Sequence, residues 1–211
     1  IFTLVFVDST KGWLVTDDGL QSSAVVASYV AATGGNTVLT NGDFKTHIFT
    51  SPGTFCVSSA GNAQGSNTVD YLVVAGGGGA GAYNSGGGGG GGFRISNSTG
   101  CVPAPTMSPL IAPTGLSVPA TAYPITIGAG GAGAAPPDPN VMTQGGTSTF
   151  STISSAGGGL GSPNSANGGD GGSGGGQGGE RPSSATGGSG NTPPVSPPQG
   201  QNGGPGGEAP N

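Results

Sequence analysis

Charge, histidine and cysteine are nearly missing from this chain. Its 211 residues include four Lys or Arg, one His and two Cys, and only 6% are charged. Lys11, Lys45, Arg94 and Arg181 are scattered, so they form no clustered basic stripe for a phosphate backbone, and nucleic acid is excluded as a partner. Charge this sparse also removes self-repulsion as a source of disorder. His47 lies in an apolar strand pattern beside Ile48 and Phe49, where a structural histidine is expected. Adjacent carboxylates occur only at Asp17-Asp18, and the following Gly19 marks that pair as turn chemistry. Two cysteines without histidine company cannot make a four-ligand zinc site. The reading is a protein that is not an enzyme, with no catalytic residues, metal or cofactor. No apolar run approaches the roughly 18 residues of a membrane span, so membrane insertion is not expected. No basic start followed by an apolar stretch marks a secretory signal. The chain opens at Ile1 already inside a β-like run, which reads as part of a longer protein.

Glycine is what the chain has in excess: 49 residues, mostly in runs such as Gly86–Gly92 and Gly76–Gly79. A run without side chains has nothing to bury, and each glycine loses much backbone freedom on ordering. Such runs are either flexible linkers or are ordered by backbone hydrogen bonds to neighbouring segments. The second option is a polyglycine-II bundle, built from left-handed helices of three residues per turn. In the run from Gly168 to Gly179, Asp170 and Ser173 are three apart, which places both on one edge of such a helix. The pattern Gly76-Gly77-Gly78-Gly79-Ala80-Gly81 also satisfies G-x-G-x-x-G after a strand. A dinucleotide site needs a helix next and an acidic residue about 20 positions on. More glycine follows instead, and the next carboxylate after Asp70 is Asp138.

Apolar segments supply the rest. Phe2–Val7 and Trp13–Val15 read as strands around a turn. Ala24–Ala32 leaves strand and short helix open. His47–Phe49, Thr54–Val57, Val69–Ala75, Tyr123–Ile127 and Thr147–Ile153 read as strands. The stretch from Cys101 to Pro124 is proline-rich and so extended or looping. Beyond Ala156 no apolar cluster remains. A β-core of this size is marginal alone, and oligomerisation would supply further burial. Cys56 and Cys101 either form a disulfide, contributing roughly 4 kcal/mol in the chain-entropy model, or stay as two unpaired thiols. Asn97-Ser98-Thr99 is a glycosylation sequon of a kind expected by chance here. The fold class is all-β, with small sandwich-like β units followed by a glycine-rich region of polyglycine-II helices or loops. The divisions fall at 1–45, 46–160 and 161–211.

Phe49-Thr50-Ser51-Pro52-Gly53-Thr54-Phe55 precedes Val69–Ala75, which runs into Gly76–Gly79. Ile125-Thr126-Ile127-Gly128-Ala129-Gly130-Gly131 and Gly145-Gly146-Thr147-Ser148-Thr149-Phe150 follow in order. This series resembles the glycine-rich domain of bacteriophage tail fibres and related virion adhesins over about residues 46–160. Residues Phe2 to Trp13 are similar to repeat units of marine-phage tail-fibre proteins. The insertion Cys101–Pro124 departs from the pattern. The resemblance implies a homotrimeric fibre in the virion, bound to other tail proteins, that attaches to a host-surface glycan or outer-surface protein. Tyr83, Asn84 and Phe93 are the candidate receptor contacts, since aromatic and amide groups beside glycine suit such ligands. The competing expectation is a purely structural virion or extracellular filament with a glycine-rich spacer.

Overall fold

The computed structural model describes residues 4–10, 12–15, 26–82, 84–98, 108–134, 141–163, 166–179 and 185–207. Among them the fold is all-β, without a helix. Strands β1 (Leu4–Asp8) and β2 (Gly12–Val15) form an antiparallel hairpin. Strands β4 (Thr37–Asn41) and β5 (Phe44–Ile48) form another. The main sheet has five strands in the order β14-β13-β12-β6-β3, with β3 at Val30–Thr33, β6 at Gly53–Ala60, β12 at Ala122–Thr126, β13 at Ser148–Phe150 and β14 at Ile153–Ser155. A three-stranded sheet joins β8 (Leu72–Val74), β9 (Phe93–Ser96) and β10 (Ile111–Ala112). Strands β7 (Thr68–Val69) and β11 (Leu116–Ser117) pair separately.

Two-residue alternation builds the core. Phe55 and Val57 of β6, and Tyr123 and Ile125 of β12, face inward and meet Phe150, Val73 and Val118. The Phe150 ring stands edge-on to Phe55 at 5.7 Å and to Tyr123 at 5.9 Å, a geometry that aromatic quadrupoles favour. The fully buried Ser155 hydroxyl donates to the Val73 carbonyl at 2.8 Å and ties the two larger sheets together.

Several sequence expectations need correction. Val69–Ala75 is not one strand. Its carboxylate at Asp70 breaks it by accepting bonds from Ser96 Oγ at 2.7 Å and from Ser98 N–H and Oγ. Thr147–Ile153 is a hairpin, turned at Ser151 with a left-handed φ of 53°. Strands β4, β9, β10 and β11 carried too little apolar pattern to be read.

The glycine runs continue the strands. Gly76 follows β8 and Gly92 leads into β9, while segments 128–134 and 156–162 extend β12 and β14. They hydrogen-bond outward in steps of three. Gly86, Gly89 and Gly92 N–H donate to Ser162, Gly159 and Ala156 carbonyls at 2.9, 2.7 and 2.7 Å. That period is a three-fold extended helix and not the two-residue period of a strand. Segment 156–162 is enclosed by 76–80, 86–92, 143–146, 168–172 and 173–179, through bonds such as Gly161 N–H to Gly79, Gly145 N–H to Gly158, Gly169 N–H to Leu160 and Ser162 N–H to Gly176. Segment 173–179 is the second hub. It bonds to 86–92, 168–172, 185–190 and 199–206 through pairs such as Gly176 with Gly87, Gly175 with Gly169, Gly188 with Gly175 and Gly174 with Gln201. The glycine-rich region is therefore a polyglycine-II lattice, and its described residues extend past Ala156 to Gly207.

Close approach explains the composition. None of these lattice glycines has a left-handed φ. A Cβ at Gly78 would collide with the Gly159 carbonyl, and one at Gly158 with the Gly89 carbonyl. The run 168–179 corrects the expectation of one continuous helix. The chain bends at 171–173 and folds back, so that Gly175 N–H reaches the Gly169 carbonyl. Asp170 and Ser173 therefore sit on different segments. It is Asn167 and Asp170 that share an edge, accepting the N–H groups of Thr186 and Ser189.

Candidate functional site

The lattice bonds fix the direction of every segment. Segments 76–80, 128–134, 156–162 and 173–179 run parallel, as Gly131 to Gly77, Gly158 to Gly76 and Gly159 to Ser173 show when each is repeated three residues later. Segments 86–92, 143–146, 168–172 and 185–190 run the other way. Because 76–80, 128–134 and 156–162 leave the sheets, the described ends of these segments and of 173–179 lie at the opposite end, where 84–86, 141–143, 166–168 and 185–186 begin their return. Glycine-rich segments of alternating direction thus bring several of their described ends to one tip.

Side-chain bonds shape the described part of that tip. The Ser85 hydroxyl donates to the Ala82 carbonyl at 2.6 Å. Ser162 Oγ donates to the Ala166 carbonyl at the next connection. Asn84 is exposed there, and its carbonyl accepts Gly179 N–H at 2.9 Å. Val141, two residues before segment 143–146, is also exposed.

The structure does not bring the sequence candidates together. Asn84 and Phe93 lie on one exposed edge, with Gly87 and Gly90 between them at three-residue spacing. Phe93 is at the sheet end, opposite Val74 in β8, and its N–H donates to the Gln199 carbonyl at 2.8 Å. Nine residues at about 3.1 Å each separate the two by roughly 28 Å. Tyr83 lies outside the described residues. So does Cys101, while Cys56 is exposed on the face of β6 opposite Phe55 and Val57. His47 Nδ1 lies 2.7 Å from the Gly34 carbonyl, and its ring stacks edge-on to Phe55. Among the described residues no group of three His, Cys, Asp or Glu could hold a metal ion, and no helix is long and apolar enough to cross a membrane.

Gln199 was not readable as important. It is 1% exposed, and a glutamine in a Pro/Gly-rich tail carries no signal of burial. Its amide links two segments at the sheet end of the lattice, accepting Ala156 N–H and donating to the Pro193 carbonyl, each at 2.8 Å.

Residues 49–211 match the family model of a glycine-rich domain. The chain belongs to this glycine-rich domain family. No curated protein and no solved structure matches it. The matched stretch begins at Phe49, just before β6, so the glycine-rich domain comprises most of the main sheet together with the whole lattice and its tip. The hairpins β1–β2 and β4–β5 precede it.

Proposed function

We propose that this glycine-rich domain is a non-enzymatic attachment module, the adhesive part of a virion tail fibre or surface protein. The observation that carries the reading is that four glycine-rich segments, 76–82, 128–134, 156–163 and 173–179, end together at the side of the lattice away from the sheets. A lattice whose backbone is bonded in three directions is stiff, and it holds the ends of these segments close together at one tip. Rigid scaffolds that present loops are the usual architecture of recognition sites. Tyr83 and Asn84 follow segment 76–82 in sequence and are the contacts we assign to a host-surface glycan or outer-surface protein. Phe93, at the other end, is assigned to the junction between sheet and lattice.

Self-association belongs to the same proposal. Leu4, Val5, Phe6, Val7, Trp13 and Leu14 are all exposed on the β1–β2 hairpin. Apolar residues on both faces suit a strand pair covered on both sides, as copies of the chain in a homotrimeric shaft would do.

Saturable binding of the purified protein to candidate host cells tests the reading. Binding lost in Y83A/N84A and kept in Phe93→Ala, with unfolding midpoints unchanged, supports it. Absence of binding to any cell surface would sink it and leave a structural filament as the function.

A further inference from the structure

The lattice has a vacancy, and its walls are unpaired backbone. Segment 173–179 forms the floor. One wall is 86–92, which accepts Ser173 and Gly176 N–H at 3.0 and 2.8 Å through the Gly90 and Gly87 carbonyls. The other is 199–206, which accepts Gly174 and Gln177 N–H at 2.9 and 3.1 Å through the Gln201 and Gly204 carbonyls. The two walls share this floor and meet at the sheet end, where Phe93 N–H donates to the Gln199 carbonyl, but 86–92 and 200–206 exchange no hydrogen bond. The floor's remaining sides are covered by 156–162, 168–172 and 185–190. In hexagonal packing that leaves one position empty, between the walls.

The polar groups bordering it are left without a backbone partner. Among the described residues, the N–H groups of Gly87, Gly90, Gln201 and Gly204 make no hydrogen bond, nor do the carbonyls of Gly174 and Gln177. Gly174 is a buried residue, and the backbone groups of such residues are nearly always paired, with protein or with water. Each of the three pairs repeats after three residues, which is one turn of the three-fold helix. A strand repeats every two residues and could satisfy alternate groups only. Room is left between the two ends of the recess: a Cβ at Gly176 on the floor would come no closer than 3.4 Å to Gly87, and one at Gly204 on the wall would meet nothing within 4 Å. At the ends, Ser173 Oγ lies toward Gly200 and Gln177 Oε1 accepts Gly206 N–H.

We propose that this vacancy binds an extended, glycine-rich three-fold helix from a second copy of the chain, with segment 128–134 as its occupant. That segment is the lattice's projecting corner. Among the described residues its backbone pairs with 76–80 and 143–146, through Gly131 to Gly77, Ala134 to Ala80, Gly146 to Ala129 and Thr143 to Ala132. Gly128 N–H is held by Ser148 Oγ at its base, and Ala129, Gly130, Ala132 and Gly133 are left exposed. Few proteins offer a polyglycine-II edge, and this chain carries both a recess and a projection of that form. The two are different surfaces, so the contact is heterologous and joins copies side by side.

Amide exchange measured by NMR at rising protein concentration, under reducing conditions, tests this. The N–H groups of Gly87, Gly90, Gln201 and Gly204 are expected to become protected together as concentration increases, in step with a growing sedimentation coefficient. Gly176→Leu, which fills the recess from the floor, is expected to weaken that association roughly tenfold or more. Should Gly176→Leu fail to fold, Gly204→Leu serves the same purpose from the wall, where the Cβ stands in open space. Exchange at one fast rate at every concentration overturns the proposal. Protection that persists on dilution also overturns it, because the occupant is then part of the same chain. Association unchanged in a folded Gly176→Leu or Gly204→Leu variant overturns it too.

Discussion

The side-chain oxygen of Gln199 accepts the backbone N–H of Ala156 at 2.8 Å across 43 residues of sequence. Ala156 is where β14 becomes lattice, and Gln199 is where the chain returns to the sheet end after its last loop. The same Gln199 backbone carbonyl holds Phe93 N–H, where 86–92 becomes β9. One buried glutamine, through its side chain and its backbone carbonyl, therefore fastens the late tail to two strand-to-lattice junctions.

Replacing Gln199 by Ala leaves Ala156 N–H and the Pro193 carbonyl without these partners in a dry site. A loss of about 1–3 kcal/mol is expected, read as a lower midpoint in chemical unfolding. Hydrogen exchange should localise the effect to Ala156 and segment 185–206, with the Phe55–Phe150 core unaffected.

Two glycine-to-alanine changes in neighbouring segments should differ in sign. Gly78→Ala sets a methyl group against the Gly159 carbonyl and should cost about 1–3 kcal/mol or more, because backbone cannot yield as a side chain does. Gly87→Ala meets nothing within 4 Å and should be neutral or stabilise by up to about 1 kcal/mol, since it restricts the unfolded chain. Thermal melts of the two variants decide this directly. Equal destabilisation would mean the lattice is absent in solution.

Phe150→Ala removes the ring that joins Phe55 and Tyr123. A cost of about 3–5 kcal/mol is expected from lost burial and the cavity left behind. Because β13 sits between β12 and β14, the variant should also loosen segment 156–162, seen as faster exchange at Gly158 and Gly159.

At low protein concentration, amide exchange along 86–92 should follow a three-residue period. Gly86, Gly89 and Gly92 donate to 156–162 and should be protected. Gly87 and Gly90 should exchange fast. A flexible linker would show uniform fast exchange, and a strand would show alternate protection.

Some of this could be read from the residues. Phe55-Cys56-Val57 and Tyr123-Pro124-Ile125 alternate apolar with outward residues, and those positions do form the core. Alternation is a local property, visible wherever a strand has one buried face. Strands β4 and β9 were missed because Thr37–Asn41 and Phe93–Ser96 are mostly exposed or polar, so pairing alone defines them. Asp70 was missed as a strand breaker because its partners, Ser96 and Ser98, are distant in sequence. The candidate contacts were only partly legible: Asn84 and Phe93 share an edge, as spacing allowed, yet stand at opposite ends of it.

The sequence by itself determined that the glycine runs could not build a hydrophobic core. It determined as well that they could be ordered only by backbone bonds, because a residue without a side chain has nothing else to offer. Which runs neighbour one another was decided by the tertiary structure alone. Polyglycine segments are chemically alike, so no residue pattern pairs Gly89 with Gly159 rather than with Gly145. The strands at their bases make that choice. β8, β9, β12, β13 and β14 carry side chains that pack in one register, and that register sets where each glycine segment begins, which way it runs and at which end its links emerge.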